Sequence, residues 1–106
     1  MPVYNAIIEN VVVGLHKGIV TIWLQVTYGA ATQGFGGYVC YNPTYSGRDC
    51  TGEFIYKVLH VLEKENLHEL IGAPVRIKKN TSLGQIVSVG HFIKENWFTP
   101  ETDLSM

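Results

Sequence analysis

The sequence predicts an α+β fold, an antiparallel β-sheet of about five to six strands with one amphipathic α-helix packed on it. Three observations carry that expectation. β-Branched residues dominate Val3 to Val13 and Ile19 to Tyr28. One later segment switches to helical spacing, with Phe54, Ile55, Val58, Leu59, Val61 and Leu62 recurring three and four residues apart. Beyond Pro74, two short strand-like runs flank a turn and make a hairpin.

Residues 3–13 read as one long strand with a bulge near Glu9 and Asn10. Gly14 to Gly18 is a glycine-bounded connection of hairpin length. The second strand puts Val20, Ile22, Leu24, Val26 and Tyr28 on the core face and Thr21, Trp23, Gln25 and Thr27 on the other. Trp23 is there either to pack or to recognise a ligand or subunit. A third strand is expected over Phe35 to Tyr41, followed by an irregular connection from Asn42 to Asp49. Thr51 reads as the N-cap of a helix of about four turns, with Glu53 complementing its dipole. Tyr56 and His60 fall at i, i+4 on its outer side. A helical turn from Glu65 to Ile71 stops at Gly72 and Pro74. Val75 to Lys79 and Gln85 to Gly90 are the hairpin strands, with Arg76 and Lys78 on one face, opposite Val75 and Ile77. His91 to Phe98 is the last ordered segment. Residues 1–100 make one domain, and Glu101 to Met106 a frayed polar tail.

At 106 residues the chain suits one modest core. Eight Lys and Arg against nine Asp and Glu give a net charge of −1, so no field draws it to DNA or RNA polymers or to an anionic membrane. No apolar run has the length of about 20 residues that a spanning helix needs, and the first residues lack a signal-peptide pattern. A cytoplasmic protein is expected. Only 16% of residues are charged against 46% hydrophobic, a balance that favours a homo-oligomer. Cys40 and Cys50 lack metal spacing and read as free thiols, and His16, His60, His68 and His91 lack zinc-site spacing, so no metal is expected.

The stretch Tyr28 to Tyr38 holds four of the eleven glycines. Its bare amides and aromatic rings suit a nucleotide, because exposed N–H groups cradle anions and rings stack on bases. A tight turn whose aromatics pack in the core accounts for it equally well. The strand that follows argues against a Walker loop or a dinucleotide fingerprint. Arg48 is either a solubilising charge or a phosphate clamp.

Tyr28-Gly29, then Gln33-Gly34-Phe35-Gly36-Gly37-Tyr38, the helix start Glu53-Phe54-Ile55, Leu70-Ile71-Gly72 before Val75-Arg76-Ile77, and Val89-Gly90-His91 before Lys94-Glu95-Asn96-Trp97-Phe98-Thr99-Pro100 resemble a family of small phage proteins, over about residues 19–100. That family is similar to the first described type of Thoeris anti-defence protein. The resemblance implies a sponge that binds a cyclic ADP-ribose-type signal made by bacterial TIR proteins and holds it uncleaved, with cyclic oligonucleotides as further ligands of separate pockets. It implies no cofactor and no catalysis, and a site in the bacterial cytoplasm during infection. On chemical grounds, the ligand candidates are Gln33, Gly34, Phe35, Gly36, Gly37, Arg48, Arg76, His91, Asn96 and Trp97. Phe35 or Trp97 would stack on adenine, Arg76 or Arg48 would pair with pyrophosphate, and Asn96 would read an adenine edge or a ribose hydroxyl.

Two other classes compete. A phosphodiesterase needs a nucleophile beside a base or paired acids; Glu53 and Glu95 are acids with nothing nearby to mark them, and His91, at a strand end, is the best candidate, with a hydrogen-bonded structural histidine as the alternative reading. A small structural or host-interaction protein needs the apolar surface but neither the glycine run nor the arginines.

Overall fold

The computed structural model describes residues 2–16, 18–37, 51–81 and 84–104. Among them the chain forms six strands, β1 (Val3–His16), β2 (Ile19–Tyr28), β3 (Ala31–Gly36), β4 (Pro74–Lys79), β5 (Ile86–His91) and β6 (Trp97–Phe98). The main helix, α1 (Thr51–Leu62), and a 3₁₀ turn (Leu67–Leu70) lie between β3 and β4, and α2 (Pro100–Asp103) ends the fold. The strands make one antiparallel sheet in the order β3-β2-β1-β4-β5-β6. This is the α+β arrangement the sequence predicts.

β1 is the spine. Its first half, Val3 to Ile7, pairs with β4, and its longer second half, Ile7 to His16, pairs with β2. The register shifts between Ile8 and Asn10, so the bulge falls where Glu9 and Asn10 predict it. Glu9 then accepts the Thr27 hydroxyl at 2.6 Å.

The inner face collects Ile8, Leu24, Val26, Phe35, Val75, Ile77 and Val89, all nearly inaccessible to solvent. Phe54, Val58 and Leu62 of α1 cover it, as the helical spacing requires. The sheet curls enough for its two edges to meet under the helix. Phe35 of β3 stands 6.1 Å from Phe98 of β6, edge to face, and Phe54 lies 5.7 and 5.2 Å from the two. Such aromatic pairs contribute about 0.5–1.5 kcal/mol each beyond the area they bury.

Both ends of α1 are tied down. Thr51, read as an N-cap, is the first helical residue, and its hydroxyl donates to the Val20 carbonyl at 2.7 Å, pinning the helix to β2. At the other end Glu63 adopts φ 57°, with Lys64 N donating to Leu59 O and Glu63 N to His60 O. This is a Schellman closure with glutamate in the place glycine usually holds. Tyr56 and His60 stack 5.7 Å apart on the outer side of the helix.

Two expectations are corrected. The glycine-rich stretch is sheet rather than loop: Gly29 and Ala30 make the β2–β3 turn, Ala31 to Gly36 is strand, Gly37 is not, and residues 38–41 of the strand expected to reach Tyr41 lie outside the described residues. Of the tail expected to fray from Glu101 to Met106, the described residues 101–104 are ordered. Pro100–Asp103 is helical, the Asp103 carboxylate accepts Thr99 N at 2.7 Å, and Leu104 is buried. Lys79, which alternation along β4 puts on the face of Val75 and Ile77, is buried in the core. Its ammonium donates to the Tyr28 hydroxyl at 2.6 Å and lies over the rings of Tyr28 and Tyr4.

Candidate functional site

Cross-strand register decides which side chains can act together, because partners in adjacent strands share a face. On the face away from α1, the pairs Asn5 with Arg76, Arg76 with Gly90 and Gly90 with Trp97 place four residues in one row across β1, β4, β5 and β6. Val3, Lys78 and Ser88 form the row on one side of it, and Ile7 with Pro74 the row on the other.

Gly90 gives the row its shape. A Cβ there would stand 2.5 Å from Trp97 Cε3, so the indole lies flat on the glycine backbone. Lys78 Nζ sits 4.1 Å from the centre of the indole and the Arg76 guanidinium carbon 4.9 Å from it, a doubly cationic aromatic platform.

Arg76 also fixes the turn between β5 and β6. Its Nε donates to His91 O at 2.9 Å and its Nη2 to Lys94 O at 2.8 Å, and Nη2 lies 2.7 Å from Glu95 Oε1. The other Glu95 oxygen accepts the Trp97 indole N–H at 3.3 Å. Arg76, then the indole, hold the Glu95 carboxyl below its ordinary pKa. The His91 Nδ1 accepts the amides of Ile93 and Lys94, at 3.1 and 3.0 Å, which fixes its remaining proton on Nε2, 3.6 Å from Glu63. Lys94 Nζ bonds Glu63 at 2.6 Å and is the first cause of the lowered Glu63 pKa.

Next to this block, where β1 passes from one partner strand to the other, an apolar concavity of about 360 Å³ is lined by Asn5, Ala6, Ile7, Thr27, Tyr28, Gly29, Pro74 and Phe92. Asn5 belongs both to its wall and to the Arg76 row.

The candidate residues read from the sequence fall into separate places. Arg76, His91, Asn96 and Trp97 gather at the β4–β6 end, where Asn96 is exposed and accepts His91 N through its carbonyl. Gly34 and Gly36 pair with Gln25 and Trp23 at the other side of the sheet, and Gly37 N donates to Ile22 O. Gln33 faces inward, accepting the Tyr28 hydroxyl at 2.8 Å and donating to Gly84 O at 3.1 Å. Phe35 is 1% exposed between Phe54 and Phe98. Its expected role of stacking on adenine is therefore corrected: an adenine would have to enter the core to reach it. Arg48, Tyr38, Cys40 and Cys50 lie outside the described residues.

Asn5, Ile7, Tyr28 and Phe92 line the concavity, and Lys78 stands on the far side of the Arg76 row from it; none of the five was singled out as a ligand residue from the sequence. The signals for them were indirect: the shared face of Arg76 and Lys78, the glycine-rich stretch that Tyr28 opens, and the segment from His91 to Trp97 that contains Phe92. Among the described residues, no group of three or more His, Cys, Asp or Glu side chains is placed to hold a metal ion, and no helix is long and apolar enough to cross a membrane. No family model matches the chain, and neither a curated protein nor a solved structure does.

Proposed function

We propose that the chain binds and sequesters a cyclic ADP-ribose-type signal made by bacterial TIR proteins, as a phage anti-defence sponge, and releases it uncleaved. The observation that carries this reading is the concavity meeting the Arg76 row at Asn5, with Lys78 in the next row. A doubly phosphorylated adenine compound asks for those parts: an apolar aromatic wall for the base, a carboxamide for its edge, and cations for the pyrophosphate. The resemblance of the sequence to the phage family supports the same ligand class.

Glu95 has a defined part in this reading. It is Arg76's carboxylate partner and is 76% exposed, so a ligand phosphate takes its place by exchanging one anion for another. The carbonyls of His91 and Lys94 keep the guanidinium oriented meanwhile.

Titration calorimetry against cyclic ADP-ribose isomers, followed by heating the complex and analysing the released ligand, tests the function. Binding with unchanged ligand is expected; cleavage products would make the protein an enzyme, and no binding would remove the reading. Lys78→Ala and Phe92→Ala test the location, with Lys78→Ala weakening binding roughly 10- to 100-fold, as loss of a charged hydrogen bond does. Glu95→Ala strengthens binding if phosphate displaces that carboxylate. A second reading, binding of another polypeptide, is favoured by a different surface, where Val13, Leu15 and Val20 stand 49, 77 and 42% exposed.

A further inference from the structure

We propose that the second half of β1 is a self-association edge, pairing antiparallel with β1 of a second copy about a two-fold axis at Val13. The inference is independent of what the concavity binds.

The sheet leaves this edge open. β4 accompanies β1 only from Val3 to Ile7, and the chain continues along Ile8 through two bonds, Ile8 N to Ala73 O and Gly72 N to Ile8 O. From Val11 to His16, β1 has β2 on one side and no strand on the other among the described residues. Ile8 shows which amide groups point that way. In a strand, residues on one face share one lateral direction for N–H and C=O. Ile8 faces the core and points its groups to the β4 side. Val11 and Val13, paired with the core-facing Leu24 and Ile22, therefore point theirs to the same side, and Leu15 follows.

Natural edges of this kind are blunted by charge, proline or a bulge. Among the described residues the one such device is the bulge at Glu9, which ends the stretch, and Val11-Val12-Val13-Gly14-Leu15 contains no charge and no proline. A second copy fits this edge for three reasons. Its outward groups fall on alternate residues symmetric about Val13, so Val13 meets its own copy and Val11 meets Leu15, each pair exchanging both hydrogen bonds. No like charges oppose one another in that register. The exposed Val13 and Leu15 side chains, on the helix side of the sheet, lie against those of the copy, so apolar area is buried together with the backbone groups. The two six-stranded sheets become one.

The test is light scattering on the purified full chain, with backbone amide exchange followed by NMR. The wild type is expected at twice 11.8 kDa, with the Val11, Val13 and Leu15 amides slowly exchanging although no intramolecular strand covers them. Val13→Lys sets two ammonium groups face to face across the axis. It is expected to give a folded monomer whose three amides exchange at least tenfold faster. Leu15→Lys, at a more exposed position, is expected to do the same and serves if Val13→Lys fails to fold. A monomeric wild type overturns the proposal. So does an oligomer that both lysine variants leave intact, or an open-ended series of sizes, since a two-fold pairing closes at two copies.

Discussion

Trp23 and Trp97 both stand on the outer face beside glycine, and they do different things. Trp23 is paired with Gly36, with Gly34 nearby, inside the segment whose glycines attract attention in the sequence. Trp97 lies on a single glycine, Gly90, and carries two cations. The glycine-rich end is thus architecture, and the glycine-poor end carries the cationic aromatic platform for which binding is proposed. A glycine cluster marks places where a Cβ does not fit, and only the neighbours decide whether a ligand or the protein itself occupies the space.

The sharpest way to break this contrast is Phe35→Ala. If the β3 end is architecture, removing a ring packed on Phe54 and Phe98 costs about 3–5 kcal/mol, read by urea unfolding. A stable Phe35→Ala variant that has lost only ligand binding would return Phe35 to the site and reverse the assignment of the two ends.

Gly36→Ala is next. Gly36 has φ 113°, and an added Cβ would meet Ile22 O at 2.7 Å and Phe54 Cζ at 2.9 Å. Backbone strain and overpacking together predict a loss of roughly 2–5 kcal/mol. Gly34→Ala is the control two residues away. Its Cβ would find only Trp23 Cδ1, at 4.0 Å, so the melting curve stays within about 0.5 kcal/mol of wild type. Equal effects at the two positions would mean that the run acts as a unit, as a ligand loop would.

Gly90→Ala probes the other end. The new methyl lifts the Trp97 ring off the strand, at about 1–3 kcal/mol, and separates the indole from Lys78 and Arg76. Ligand affinity should fall together with the ring-current shifts of the Lys78 side chain. Unchanged affinity with a displaced ring would take Trp97 out of the site.

Legibility in the sequence follows from side-chain periodicity. β2 and α1 announce themselves because Ile22, Leu24 and Val26, and Phe54, Val58 and Leu62, repeat at the periods of their elements. β3 does not, because Gly34 and Gly36 leave no outward side chains to alternate with Gln33 and Phe35. Lys79 hides for the opposite reason: its charge suggests solvent, although alternation puts it on the face of Val75 and Ile77, where the Tyr28 hydroxyl receives its ammonium. Leu104 stands alone among the polar residues 101–105, too little to signal docking. The candidate site needs register. Arg76 is readable as a cation, but two of its partners are backbone carbonyls at His91 and Lys94, which no side-chain pattern announces. The Asn5-to-Trp97 row exists only once β1, β4, β5 and β6 are aligned.

The smallest effect expected is on acidification, and it distinguishes the two tryptophans without a mutation. Glu95 and Glu63 have carboxyl pKa values lowered in the folded chain by Arg76 and Lys94 respectively, the first cause in each case. A carboxyl with a depressed folded pKa stabilises the fold fully above its unfolded value, and the contribution is lost as pH falls through the folded one. Both carboxylates are exposed, so water screens the pairs and global stability changes little. The local consequence is larger: protonated Glu95 gives up Arg76 and the indole N–H, and protonated Glu63 releases Lys94 at the other end of the turn. The Trp97 indole N–H resonance should therefore shift and broaden below the ordinary carboxylate range while that of Trp23 holds still. If both move together, the two ends unfold as one, and the turn between β5 and β6 is no separate element. If neither moves, the carbonyls of His91 and Lys94 suffice to hold Arg76, and Glu95 is free to yield its place to a phosphate at little structural expense.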